Sequence, residues 1–220
     1  MAVDGPSGSG KSSASRGAAL ALGLRYLDTG AMYRALTWWL MSRGADTTDP
    51  VLVAELAPAP AIEVSTDPEH PWTRVDGRDV TPDIRSRDVS AGVSVVARIP
   101  DVRTHLIAAQ RAIIAAAHPG IVAEGRDIGT VVAPDAQLKV FLTADSDARA
   151  RRRAAEQGAA VDATEAAQAR RDRLDAAQSA KADDAVLIDA TDLSLPEVIA
   201  QITRLAHERT QLACAGDKGN

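Results

Sequence analysis

The chain is poor in cysteine: Cys214 is the only one among 220 residues, so no internal disulfide can form and a reducing compartment is the simpler setting. Long apolar runs are missing too, none approaching the roughly 18 residues a membrane span needs. The first residues lack the basic stretch and apolar core of a secretory signal, and with these two absences a cytoplasmic location is expected. Positive charge is not in excess; 25 Lys and Arg against 30 Asp and Glu give a formal charge of -5, which argues against broad nucleic-acid binding. The four histidines, at 70, 105, 118 and 207, have no metal-ligand spacing, and no nucleophilic triad can be picked out. Internal repeats are absent, and low complexity goes no further than a general richness in alanine. What remains, at 45% hydrophobic content, is enough for one sizeable α/β core.

Against that background one segment carries strong chemistry. Gly5 to Ser12 reads GPSGSGKS, a complete GxxxxGKS phosphate-binding loop. Gly5, Gly8 and Gly10 let the backbone curl round an anion, so that its N–H groups point inward. Lys11 adds a point charge for the β- and γ-phosphates, and Ser12 offers a hydroxyl to Mg²⁺. The plain alternative is a glycine-rich turn between a strand and a helix. The required context, a short apolar strand before and a helix after, is present.

The rest of the chain alternates strands and helices, the pattern of a mostly parallel sheet covered on both faces. Strands are expected at Met1 to Asp4, Arg25 to Asp28, Gly120 to Glu124, Leu138 to Leu142 and Ala185 to Asp189. Helices are expected at Lys11 to Leu22, closed by Gly23, and at Ala31 to Arg43, Pro82 to Ile99, Val102 to His118, Asp145 to Gln157, Thr164 to Gln178 and Leu195 to Ala213. Trp38 and Trp39 fall within a helix and read as packing residues. Between residues 61 and 81 the alternation breaks: Ile62 to Ser65, Trp72 to Val75, an Asp76-Gly77 turn and Arg78 to Thr81 form a hairpin signature, so a small antiparallel insert is expected. Its approaches are punctuated by Pro58, Pro60, Pro68 and Pro71.

A phosphate loop alone does not separate a kinase from a GTPase, a motor or a nucleotide sensor. The acceptor side offers two leads. Asp28-Thr29-Gly30-Ala31-Met32-Tyr33-Arg34 follows the second strand, at the edge where open α/β sheets bind ligands. There the Thr29 hydroxyl and the Arg34 guanidinium suit a second phosphorylated molecule, although a helix cap and a surface arginine would look the same. Glu124-Gly125-Arg126-Asp127 follows another apolar strand; an acid there can orient metal-bound water and an arginine can neutralise phosphate charge, or the acid can be a structural ion-pair partner.

With GPSGSGKS, DTGAMYR and EGRDIGTVVAPDA in this order, and the tail ADDAVLIDATDLSLPEVI, the chain resembles the bacterial cytidylate kinases from end to end. The resemblance implies a P-loop NTPase-like α/β fold with a parallel five-stranded sheet, a core over residues 1–60 and 100–220, a monophosphate-binding insert over 61–99 and a helical lid at about 149–180. It implies phosphoryl transfer from ATP to CMP or dCMP, with Mg²⁺ arriving with the nucleotide, no nucleic-acid or membrane partner, and a monomer. Carried over by position, Gly5, Pro6, Ser7, Gly8, Ser9, Gly10, Lys11, Ser12 and Ser13 would bind ATP, and Ser12 would face the metal. Thr29, Arg34 and Arg126 would hold the CMP phosphate; Ser94, Arg103 and Asp127 would read the cytosine edge; Arg171 and Asp175 would sit near phosphate and ribose. Lys11, Arg126 and Arg171 would carry the catalytic charge. The lid is inferred from Arg149, Arg151, Arg152 and Arg153 on one helix and Arg170, Arg171 and Arg173 on the next, joined through Glu156 to Asp162 with Gly158 between; a solvated charged face is the alternative for Arg151 and Arg153.

Two departures stand out. After Asp175 the family pattern has Ser, a variable residue and Arg, whereas Ala176, Ala177 and Gln178 stand here, followed by a shortened Ser179-Ala180-Lys181. One phosphate-binding arginine is missing, which weakens the acceptor site unless Lys181 or Arg173 substitutes. The first strand is also short, as if the natural start lay upstream. Three readings follow: a (d)CMP kinase with UMP as a weaker acceptor, another small-molecule P-loop kinase acting on AMP or a sugar acid, or a nucleotide-binding regulator whose catalysis is impaired at Gln178.

Overall fold

A computed structural model describes residues 1–157 and 161–216. The turn expected at Gly158 and the side chains of Arg153 and Cys214 lie outside the described residues.

Five parallel strands form the central sheet: β1 (Ala2–Asp4), β2 (Arg25–Asp28), β6 (Ile121–Gly125), β7 (Lys139–Thr143) and β8 (Val186–Asp189), in the order β2-β6-β1-β7-β8. Strand periodicity sorts the core into two layers, because successive side chains point to opposite faces. Ala2, Leu27, Ile121 and Ala123 face one way, and Val3, Tyr26, Val122, Val140 and Leu142 the other. The first layer packs under α2 (Thr29–Ser42) and α5 (Pro100–Ala116), through Met32, Leu36, Leu40, Val102 and Leu106. The second packs under α1 (Lys11–Leu22) and α8 (Leu195–Gly216), through Ala14, Ala18, Val198 and Ile202. Each fully buried Val, Leu or Ile side chain contributes about 1.5–3 kcal/mol relative to exposure, so the short β1 is held by the burial of Ala2 and Val3 in opposite layers as well as by its pairing with β6 and β7.

Parallel register also aligns the strand ends. Asp4 pairs with Gly125 and Asp28 with Glu124, so the last residues of β1, β2 and β6 meet on one edge of the sheet. That edge is where the phosphate loop leaves β1, with Gly10 opening α1 in the left-handed region at φ 87° and Gly23 closing it at φ 64°.

The insert is a three-stranded antiparallel sheet, β3 (Ile62–Val64), β4 (Thr73–Val75) and β5 (Arg78–Asp79). Its tight turn places Asp76 at φ 51° and Gly77 at φ 79°, the left-handed pair a two-residue hairpin demands. Asp76 anchors the sheet to the body by accepting from Trp39 Nε1 at 2.9 Å and from the Ala61 N–H at 2.9 Å. Trp39 is buried, as expected of a packing residue, and Trp38 lies under Arg78, 5.1 Å from ring centre to guanidinium carbon.

Several boundaries differ from the sequence reading. The single helix expected over 82–99 is a 3₁₀ turn, Asp83–Arg85, and then α4 (Arg87–Val96); Ser86 breaks the run with extended backbone at ψ 161° and caps α4 through Val89 N–H at 3.4 Å. α2 begins at Thr29 instead of Ala31, because the Asp28 carboxylate caps it at Ala31 N–H, 3.0 Å away. A short helix, α3 (Pro50–Leu56), was not expected, although its signal was legible: Asp49 caps Val51 and Leu52, and Pro50 sits in the first turn. Between β7 and β8 lie α6 (Ser146–Gln157) and α7 (Val161–Asp175), with Ala176–Gln178 tightening into a 3₁₀ turn instead of continuing α7.

Candidate functional site

The aligned strand ends open into a cleft of about 500 Å³. Ser7, Gly8 and Gly10 to Ser13 of the phosphate loop line one end, and Ser94, Arg103 and Asp127 line the other.

At the first end the glycines are structurally required. A side chain at Gly5 would run into the Leu142 carbonyl, and one at Gly8, whose φ is +78°, would meet the Gln168 amide of α7. The loop is therefore pressed between β7 and the α6–α7 pair. Lys11 Nζ reaches back to the Pro6 carbonyl at 3.2 Å. Burial, and next the nearby Arg126 guanidinium, pull its ammonium down to about 7. The expected lid arginines divide by contact. Arg149 donates to the Ser7 carbonyl at 3.1 Å and to Asp172 at 2.6 Å, and Arg152 donates to the Ser9 carbonyl at 3.5 Å. Arg171 lines the cleft, whereas Arg151, Arg170 and Arg173 are exposed.

In the middle of the cleft stands Glu124, at the end of β6. Its carboxylate accepts from Tyr26 Oη at 2.8 Å, and the Ser12 hydroxyl also reaches it. Burial, followed by the neighbouring Asp28 carboxylate, pushes the Glu124 carboxyl up from its ordinary range. Burial likewise drives the Tyr26 phenol far above its usual range, so it stays a donor. Ser12, Glu124 and Asp28 together are hard oxygen donors of the kind Mg²⁺ accepts, directly or through water, so the residues present fit that ion.

The other end gathers the expected acceptor-side residues from five separate segments. Arg103 of α5 forms an ion pair with Asp127 in which both side chains are largely buried. The Ser94 hydroxyl of α4 is buried and has no hydrogen-bond partner among the described residues. Arg34 of α2 is held by Ser90 Oγ at 2.8 Å and the Ile84 carbonyl at 3.3 Å. Arg126 donates to Asp175 at 3.1 Å and to the Gly5 carbonyl at 3.0 Å. Thr29 also lines the cleft, but its hydroxyl donates to the Glu124 carbonyl at 2.6 Å, so its proton is committed to the backbone.

Gln178 lines this end as well, its amide donating to the Ala97 carbonyl at 3.2 Å, just past the end of α4. Neither cation considered as a substitute for the missing arginine reaches the cleft. Lys181 turns to the carbonyls of its own loop, Ala182 at 3.2 Å and Ala185 at 3.3 Å, and Arg173 is exposed.

Asp4 belongs to the site although the sequence did not single it out. Buried at the end of β1, it accepts from the Ile128 and Gly129 N–H groups, each at 2.8 Å, and so hangs the loop bearing Arg126 and Asp127 from the strand that leads into the phosphate loop. The segment Ile128–Val132 that follows is a single wide turn of π type. Tyr26 was missed too; as a strand residue with an apolar body it reads as core, and only its partner 98 positions away reveals the hydroxyl's task. Outside the cleft, Asp67, Glu69 and His70 bring their ligand atoms within 4.8 Å of one another at the surface, in a loop whose Asp67 already accepts from Glu69 N–H.

A family model described as cytidylate kinase matches residues 1–208. Among relatives, a protein named cytidylate kinase from Streptomyces coelicolor is 52% identical over 214 residues, covering 95% of this chain and 93% of the relative. One of the same name from Streptomyces avermitilis is 50% identical with the same coverage of each, 95% and 93%. A third, from Mycobacterium avium, is 45% identical over 223 residues, 97% of each chain.

Proposed function

The chain belongs to the cytidylate kinase family, and on that premise we propose that it transfers the γ-phosphoryl group of ATP to CMP or dCMP, giving ADP and CDP or dCDP. The observation that supports this best is a single cleft with a phosphate loop at one end and a buried arginine–aspartate pair at the other. A donor nucleotide at the loop and an acceptor at the pair would meet over Glu124 and Arg126.

In this reading an oxygen of the CMP phosphate attacks the γ-phosphorus in line. The new P–O bond forms as the bond to the β-phosphate bridging oxygen breaks, and ADP departs. The attacking oxygen is ionised near neutral pH, so no protein nucleophile is needed and rate comes from positioning and charge neutralisation. Loop N–H groups and Lys11 hold the donor phosphates. Arg126 and Arg171 balance the charge that spreads during transfer, and Arg34 with Arg126 holds the acceptor phosphate. Ser12, with Glu124 and Asp28 behind it, would hold Mg²⁺, which neutralises the β- and γ-oxygens when bound with ATP.

Asp127 accepts from the cytosine amino group while Arg103 and Ser94 serve the N3 and O2 side. Uracil would strand those buried groups, and Asp175 would take a ribose hydroxyl. Residues 61–99 act as the arm that closes on the monophosphate and about 149–180 as the lid over ATP, excluding water as a competing acceptor. A cytoplasmic monomer is the setting we assign. One coupled assay with CMP, dCMP, UMP, AMP and GMP as acceptors tests the reading; preference for AMP or GMP, or no turnover with CMP, would overturn it.

A further inference from the structure

Buried hydroxyls normally find a partner, and one left without costs about 1–3 kcal/mol. At the acceptor end of the cleft that exception occurs twice. Ser94 Oγ is one case; the other is Tyr33 Oη, a cleft-lining phenol on α2 that the assignments above leave without a task.

The surroundings of Tyr33 define what it can do. Burial pushes its phenol up to about 12, the Arg103 guanidinium pulling the other way and the Asp127 carboxylate adding to the rise, so the group is neutral and keeps its proton at every physiological pH. It therefore stands beside the same ion pair proposed to read the base. Behind it, from α5, comes the Gln110 side chain, only 1% exposed, whose amide is close enough to influence the phenol. Neither Tyr33 Oη nor Gln110 Nε2 completes a hydrogen bond of normal geometry in this structure. A fully buried amide behind a partnerless phenol is an expensive arrangement for packing alone, since Phe and Leu would fill the same space without stranding polar atoms.

We propose that Tyr33 is a further specificity-determining residue, whose hydroxyl donates to the N3 and O2 acceptor side of a pyrimidine base, and that Gln110 is the positioning residue that fixes which way the hydroxyl points. The inference rests on the acceptor reading given above. An amide N–H donated onto the phenol oxygen leaves the phenol proton to point forward. Cytosine presents lone pairs at N3 and O2 to receive it, whereas uracil carries a proton at N3. A hydroxyl free to rotate could serve either base; one held by Gln110 favours cytosine.

The test compares kcat/KM for CMP and UMP, with saturating ATP, in the wild type, Tyr33→Phe and Gln110→Leu. A ratio between two acceptors on one preparation is insensitive to the folded fraction, so a merely structural role would lower the thermal midpoint and leave it unmoved. We expect Tyr33→Phe to cut the CMP preference about tenfold, mainly through KM for CMP, and Gln110→Leu to cut it severalfold with the ring intact. An unchanged ratio in Tyr33→Phe overturns the inference; if that variant gives no soluble protein, an unchanged ratio in Gln110→Leu does so. Wild-type protein without CMP preference would instead overturn the acceptor reading itself.

Discussion

Arg126 donates through Nε to Asp175 at 3.1 Å, tying the loop after β6 to the end of α7. The same guanidinium reaches the Gly5 carbonyl through Nη1 at 3.0 Å, so one planar group spans α7 and the phosphate loop. Lysine brings equal charge but cannot hold two partners in a fixed fork. Arg126→Lys should lower kcat with CMP by about a hundredfold while shifting the Kd for ATP by no more than a few-fold. Steady-state kinetics and ATP titration check this; unchanged kcat would show that the fork is not used.

Lys11→Ala should abolish ATP-dependent conversion of CMP to CDP, and retained turnover would remove the phosphate loop from the mechanism. A pH effect follows from the same residue. In the free protein burial holds the Lys11 ammonium down to about 7, and triphosphate oxygens placed beside it raise that value. Below pH 7 the lysine is already charged and ATP affinity is at its full value. As pH rises through 7 binding must take up a proton, so affinity falls by up to about tenfold per pH unit until the raised value in the complex is reached. Calorimetry at pH 8 in two buffers of different ionisation enthalpy should show net proton uptake on ATP binding in the wild type and none in Lys11→Ala.

Gln178 lines the same end of the cleft as Ser94 and Arg103 without charge, and neither Lys181 nor Arg173 reaches it. Gln178→Arg should raise kcat/KM for CMP about tenfold, the worth of one charge-assisted contact to phosphate, with KM for ATP unchanged. No gain, or a loss traced to the freed Ala97 carbonyl, would mean that this site is tuned to work with glutamine.

Asp4→Asn tests the hinge between the two loops. Asparagine keeps one acceptor oxygen but turns an amide N–H toward a backbone N–H, leaving Ile128 or Gly129 unsatisfied in a buried place. The cost is about 2 kcal/mol, or roughly 4–8 °C in Tm for a chain of this size. A melting curve unchanged within 1–2 °C, on the scale of that shift, would remove Asp4 from this role.

Much of this was readable locally. The phosphate loop needs only its own glycines, Lys11 and the helix that follows, and α1 and β2 fall where their periodicity and the Gly23 stop put them. Asp76-Gly77 encodes its hairpin turn in two residues. Boundaries slipped where a side chain competes with the helix, at Ser86 and Asp28, since a cap is decided by one hydrogen bond that periodicity does not register.

The sequence by itself determined the phosphate loop, because Gly5 to Ser13 are nine consecutive residues that act through local backbone geometry. Only the tertiary structure decided which distant groups share charge and protons: Tyr26 with Glu124 across 98 positions, Arg126 with Gly5 across 121, and Asp4 with Gly129 across 125. Those partnerships arise from parallel register, which brings the ends of β1, β2 and β6 to one edge, and from burial, which makes an unmatched polar atom costly enough to be noticed. No property of Lys11 alone would place its ammonium at about 7, nor would Gln178 alone announce that it grips Ala97; both depend on what folding sets beside them.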